Sequence, residues 1–124
     1  SALSIVIVFA SCINIGVSGT ARAEQLDMDA IFRCVASDDD GIAKCLLARE
    51  MILDNCTSCH SFAPIVIAQL ERSAWHGVLF RMNEKIDLSE ADLLLIEDYL
   101  TDNFNENFPP PELPAALLEA WTSY

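Results

Sequence analysis

The segment Cys56-Thr57-Ser58-Cys59-His60 constrains this chain more than any other feature of its 124 residues. It places two thiols three positions apart, with an imidazole directly after the second. Thiols at this spacing can each form a thioether with one vinyl group of the same porphyrin, and the adjacent His60 then lies under the iron as an axial ligand. The segment therefore predicts one covalently attached haem c, held by Cys56 and Cys59 and ligated by His60.

Two other interpretations of these thiols are weaker. A thioredoxin-type dithiol is expected after a strand in a βαβ unit, and no strand pattern precedes Cys56. A Cys₂His₂ zinc site needs a second pair of ligands at a defined spacing. The other histidine of the chain, His76, has no such partner near it in the sequence.

The periodicity of the apolar residues predicts an all-α fold. From Ile42 they recur at helical spacing up to the haem motif, and a second helix is predicted over 73–84. Ser89 is a good N-cap for a third helix, with Asp92 in the capping-box position, and a last short helix is predicted over 114–121. The segment Asp38-Asp39-Asp40-Gly41 is typical of a turn that leads into the first helix.

Three regions are predicted along the chain: a hydrophobic segment over 1–23, a haem domain over 24–108 and a proline-rich tail over 109–124. In the haem domain Pro64 is expected to break the chain after the motif. The tail opens with the stiff spacer Pro109-Pro110-Pro111 and then carries apolar residues. It either wraps the haem domain or docks on a partner as a helix in a groove.

The first 21 residues contain no charged side chain and are about as long as a helix that crosses a bilayer. Three interpretations compete: a secretory signal cleaved after Ala23, a lipoprotein signal acylated at Cys12, and a retained transmembrane helix. We favour the retained helix. Because haem attachment at such motifs normally occurs outside the cytoplasm, the haem domain is then expected on the periplasmic side of a bacterial membrane. The alternatives are a soluble periplasmic protein and a lipid-anchored one.

The charge of the chain excludes some partners and favours others. From Glu24 onward nineteen acidic side chains face six basic ones, which gives a net charge of −13 for that part. Such a field repels nucleic acid, so a nucleic-acid-binding role is excluded. It favours redox partners that present a basic docking face.

A six-coordinate electron-transfer haem needs a second axial ligand, commonly Met or His. Met82 and His76 are the Met and His residues that follow His60. They lie six positions apart, about 240° around a helix, so they point in different directions. Met82 shares the apolar face of its helix and is favoured over His76, although a Met on such a face is ordinarily a core residue.

From Cys56 to Phe104 the chain resembles the small bacterial class I c-type cytochromes, which carry one haem. The resemblance rests on the motif and on Arg72, Trp75, Val78, Met82, Asp92, Ile96, Tyr99 and Leu100. It implies a helical haem domain whose first and last helices cross near the haem edge, with His60 and Met82 as axial ligands. It also implies that a carbonyl of the segment at Pro64 accepts the imidazole N–H of His60.

Four further side chains of interest remain open between two roles. Trp75 and Tyr99 are either haem contacts or core aromatics, and the two roles overlap. Cys34 and Cys45 form either a disulfide or a pair of buried free thiols, and an oxidising compartment favours the disulfide.

We expect this chain to transfer single electrons and not to be an enzyme, because nothing else in it resembles an acid–base or nucleophilic group of residues. The hydrophobic segment and the tail favour a membrane-anchored subunit of a larger respiratory or photosynthetic complex. One alternative is a freely diffusing periplasmic carrier that serves a dehydrogenase. Another is a five-coordinate haem sensor or peroxidase, which requires that Met82 does not bind the iron.

Overall fold

The computed structural model describes residues 25–122, which form six helices. The helices are α1 Met28–Ile31, α2 Asp39–Cys56, α3 Ala63–Ile67, α4 Arg72–Ile86, α5 Glu90–Asn103 and α6 Ala115–Thr122. No strand occurs in this part of the chain, so the predicted all-α class is confirmed. None of these six helices combines the length and apolar character needed to cross a bilayer. The anchor predicted over 1–23 lies outside the described residues.

The helix α2 begins inside the acidic run. Asp38 is its N-cap, and the Asp38 carboxylate accepts a hydrogen bond from the Gly41 N–H at 2.8 Å. Asp39 and Asp40 then lie in the first turn, where the helix dipole favours negative charge. Gly41 is required here because a Cβ at this position would come within 2.9 Å of the Ala36 Cβ. The predicted turn is therefore the N-cap of α2 itself.

The core lies where α5 packs against both α2 and α4. Ile52 of α2, Trp75 of α4 and Ile96 of α5 are each almost completely buried. Burying an apolar side chain of this size contributes about 1.5–3 kcal/mol. Cys56, at the end of α2, belongs to the same core cluster.

The junction between α4 and α5 is tied by polar groups. Asp87 ends α4 with the left-handed backbone conformation (φ 53°). The Asn83 side chain accepts the Leu88 N–H at 2.7 Å, and Ser89 accepts the Asp92 N–H at 3.2 Å. The predicted N-cap at Ser89 is thus confirmed, and the short connection holds α4 alongside α5.

The segment before α2 is attached to the end of α5. Cys34 and Cys45 form a disulfide with their Cα atoms 5.9 Å apart, which confirms the predicted bond. Asn103 is buried, and its side chain accepts the Val35 N–H at 2.8 Å and donates to the Tyr99 carbonyl at 2.8 Å. The disulfide therefore ties the segment before α2 to α2 itself, and the satisfied buried amide of Asn103 ties the same segment to the end of α5.

Replacing Cys34 and Cys45 together by alanine is expected to lower the free energy of unfolding by about 2–3 kcal/mol. The reason is that the unfolded chain loses a cross-link across a short loop. Urea denaturation followed by circular dichroism measures the change, and wild-type protein treated with a reductant is the matched control. An unchanged denaturation midpoint in both samples would show that the bond does not stabilise the fold.

The tail folds back on the domain. The Arg33 side chain donates to the carbonyl of Pro109 at 2.9 Å, and its guanidinium lies 5.1 Å from the centre of the Phe108 ring. Leu113 packs against the core, and α6 contacts α3. Of the two interpretations of the tail, these contacts correspond to the one in which it wraps the domain.

Candidate functional site

An open cleft of about 470 Å³ lies between the end of α2 and one face of α4. Its walls combine the motif segment with side chains one helical turn apart on α4. The lining residues are Asn55, Cys56, Cys59, His60, Val78, Arg81, Met82, Lys85 and Ile86. The structure therefore brings four of the predicted site residues to one cleft: both thiols, the imidazole and the Met82 thioether.

The two motif thiols differ in exposure. Cys56 is the last residue of α2 and is buried, and this burial raises the pKa of its thiol above the ordinary value. Cys59 lies in the turn that follows and is exposed. Thr57 caps the helix between them, and its hydroxyl donates to the carbonyl of Leu53. The helix end thus fixes the first thiol, and the turn presents the second at the mouth of the cleft.

His60 is half-buried, and its Nδ1 lies 2.7 Å from the carbonyl oxygen of Ser61. When Nδ1 carries the proton and donates to this carbonyl, the lone pair of Nε2 is free to bind a metal. One hydrogen bond therefore sets both the tautomer and the orientation of the ring.

One expectation for Pro64 needs correction, and the other stays a prediction. Pro64 does not break the chain, because it lies in the first turn of α3, where the missing N–H costs no helical hydrogen bond. The carbonyl oxygen within hydrogen-bond distance of the His60 Nδ1 is that of Ser61, three residues before Pro64 in the same connecting segment. That a carbonyl of the segment at Pro64 accepts the imidazole N–H of His60 stays a prediction.

The structure separates the two candidates for the second axial ligand. Met82 is half-buried and lines the cleft. His76 is exposed on another face of α4, where its Nδ1 lies 2.7 Å from the Glu97 carboxylate. Burial acts to raise the pKa of Glu97, but hydrogen bonds from His76 and Arg72 outweigh it and hold the pKa below its ordinary value. His76 therefore belongs to a polar cluster between α4 and α5, away from the motif.

Trp75 and Tyr99 are both buried in the core, and they differ in whether they border the region of the cleft. Trp75 donates its indole N–H to the Phe104 carbonyl at 2.9 Å and borders a small apolar gap behind the cleft, which Cys56 and Met82 also border. Tyr99 donates its hydroxyl to the Arg33 carbonyl at 3.1 Å, and its burial raises the pKa of the phenol. It does not line the cleft. The core role holds for both residues, and only Trp75 also borders this region.

The two alternatives to a haem motif find no match in residues 25–122. A thioredoxin-type dithiol follows a strand, whereas Cys56 is the last residue of a helix of 18 residues. Within the same residues no group of three or more His, Cys, Asp and Glu side chains is arranged to hold a metal ion.

Arg81 and Lys85 line the cleft but were not singled out from the sequence. Their positions predict part of the placement, since Lys85 lies three positions after Met82 and four after Arg81, spacings that put it on the same helical face as each of them. The signal that was missed is the contrast between these two cations and the acidic character of the rest of the domain.

The chain was also compared with known proteins. It matches no model of a protein family, no curated protein and no solved structure.

Proposed function

We propose that this chain is a monohaem c-type cytochrome that transfers single electrons. One observation carries the proposal: two thiols, an imidazole and a thioether, separated by up to 26 positions in the sequence, line the same cleft. These are the donor types that covalent haem attachment and His/Met ligation require. The cofactor would be one haem c.

Each lining residue has a definite task in this proposal. Cys56 and Cys59 would hold the haem through two thioether bonds, and His60 and Met82 would bind its iron. When bound, the haem supplies an iron that cycles between the ferric and ferrous states. The Ser61 carbonyl keeps the proton of His60 on Nδ1. Val78 and Ile86 form apolar walls that exclude water from the ligands, and a thioether ligand favours the reduced state.

The experiment that tests the proposal is production of the protein in a bacterium that carries a cytochrome c maturation system. The purified chain is expected to keep one haem after boiling in detergent and to stain for haem on a denaturing gel. It is also expected to show the weak near-infrared absorption of a sulfur–iron(III) bond in its oxidised form. A chain that is made in quantity under these conditions and carries no haem would contradict the proposal.

A five-coordinate haem sensor or peroxidase is the alternative of a different class. It needs an open distal side, whereas Met82 lines the cleft opposite the motif segment on a separate helix. The near-infrared band distinguishes the two functions, since a five-coordinate haem has no sulfur–iron bond to give it. A spectrum without the band and with rapid binding of small ligands would support the sensor or peroxidase.

We further propose that the protein works on the periplasmic side of a bacterial membrane, as an anchored subunit of a larger redox complex. The support is the uncharged segment over 1–21 and the net charge of −13, six basic against nineteen acidic side chains, in the rest of the chain. That charge favours a basic docking face on the partner and an association rate that falls as salt is added. Native protein that fractionates without detergent, and alone, would instead support the freely diffusing carrier.

A further inference from the structure

Arg81 and Lys85 differ from the other basic side chains of residues 25–122, because neither has an acidic partner or a hydrogen-bond acceptor there. Lys44 pairs with Asp40, and Arg49 pairs with Asp29, each at 2.6 Å. The remaining two are also engaged: Arg33 donates to backbone carbonyls, and Arg72 pairs with Glu97 and Asp98. Two cations in an acidic domain therefore remain without an ion-pair or hydrogen-bond partner among the described residues.

The cleft that holds these two cations contains no carboxylate. None of its nine lining residues is Asp or Glu, although acidic side chains outnumber basic ones about threefold in the domain. Arg81 and Lys85 are four positions apart on α4, so their like charges repel each other. An anionic ligand in the cleft would remove this repulsion and supply a counter-charge.

We propose that Arg81 and Lys85 bind the two propionate carboxylates of the haem and thereby set its rotation in the cleft. The inference rests on the proposed function. A haem brings an apolar ring and two carboxylates, and the net charge of this domain repels carboxylates wherever no cation lies close by. The apolar lining of the cleft suits the ring. The guanidinium of Arg81 suits a carboxylate, which it can bind through two parallel hydrogen bonds.

An acidic protein partner is the competing ligand for the same two cations. Such a partner would have to approach a strongly acidic domain, whose field repels it at long range. The propionates do not meet this obstacle, because the thioether bonds hold the haem at the cleft from the moment of attachment. The position of both cations on the cleft wall beside Met82 also favours a ligand within the cleft.

The test compares charge-removing variants of the haem-loaded protein. In Arg81→Gln and Lys85→Gln we expect the propionate-bending bands of the resonance Raman spectrum to shift. In the double variant we expect the ratio of reduced to oxidised haem at a fixed ambient potential to fall about tenfold, which is about 59 mV for a one-electron couple. Arg81→Lys keeps the positive charge, so this variant is expected to keep most of the wild-type reduction potential. Arg49→Gln and Lys44→Gln remove the same charge away from the cleft and are expected to leave the bands unchanged.

The outcomes separate the inference from the proposed function. Covalent haem with unaltered propionate bands in Arg81→Gln and Lys85→Gln would overturn the inference and leave the function standing. Unaltered bands together with slower electron exchange with an acidic redox protein would assign the two cations to docking, which also overturns it. A wild-type chain that carries no covalent haem would overturn both.

Discussion

Replacing Cys56 and Cys59 together by alanine is expected to abolish covalent haem attachment. Both thioether bonds depend on these two thiols, and no other free cysteine lies in residues 25–122, because Cys34 and Cys45 are joined to each other. Each single variant keeps one thiol and is expected to yield much less haem protein, with one vinyl group left unreacted. Haem staining of denaturing gels and the mass of the intact chain measure the loss.

The matched control removes the other pair of sulfur atoms. Cys34→Ala with Cys45→Ala is expected to retain covalent haem while losing stability, since these residues lie away from the cleft. Full haem content in both double variants would show that Cys56 and Cys59 have no special role. Haem that survives only in the control would assign attachment to the motif.

Replacing Met82 by leucine is expected to remove the second axial ligand with little effect on packing. The two side chains are close in volume, so the apolar wall of α4 is kept at a cost below about 1.5 kcal/mol. The near-infrared sulfur–iron band should disappear. The ratio of reduced to oxidised haem at a fixed potential should fall at least tenfold (about 59 mV), because the thioether favours ferrous iron.

Two control variants accompany Met82→Leu. Met51→Leu changes another half-buried methionine, which does not line the cleft, and should keep the band. His76→Ala removes the other residue considered as a ligand of the iron, and this variant should also keep the band. The reason is that His76 lies on another face of α4, where its ring contacts the Glu97 carboxylate. Loss of the band in either control, or its survival in Met82→Leu, would assign the ligand to a different residue.

The helices could be predicted where local chemistry decides them. The apolar periodicity of α2, α4 and α5, and the capping side chains of Asp38 and Ser89, act over a few neighbouring residues and are visible in the sequence. The position of Met82 in the same cleft as the motif was also predictable. Few residues after the motif have a side chain that can bind iron, and among them Met82 lies on the apolar face of its helix.

Features that depend on long-range contacts could not be predicted in this way. The short helix α1, Met28–Ile31, lies in a segment expected to be only an acidic lead-in. The tail is held by Arg33, whose partners Asn103 and Pro109 follow it by 70 and 76 positions. From the sequence, Tyr99 fits a haem contact as well as a core residue. The packing of α5 directs its hydroxyl to the Arg33 carbonyl, and the side chain does not line the cleft.

The burial of Cys56 has a consequence for the order in which the protein matures. Among the single disulfides that the four cysteines of the described residues could form in an oxidising compartment, only the bond between Cys34 and Cys45 leaves both motif thiols free. Disulfide exchange proceeds through the thiolate, and burial disfavours the thiolate by raising the pKa of Cys56. Once α2 has formed, its last residue is therefore shielded from mispairing. The fold can close the bond between Cys34 and Cys45 and still keep Cys56 reduced.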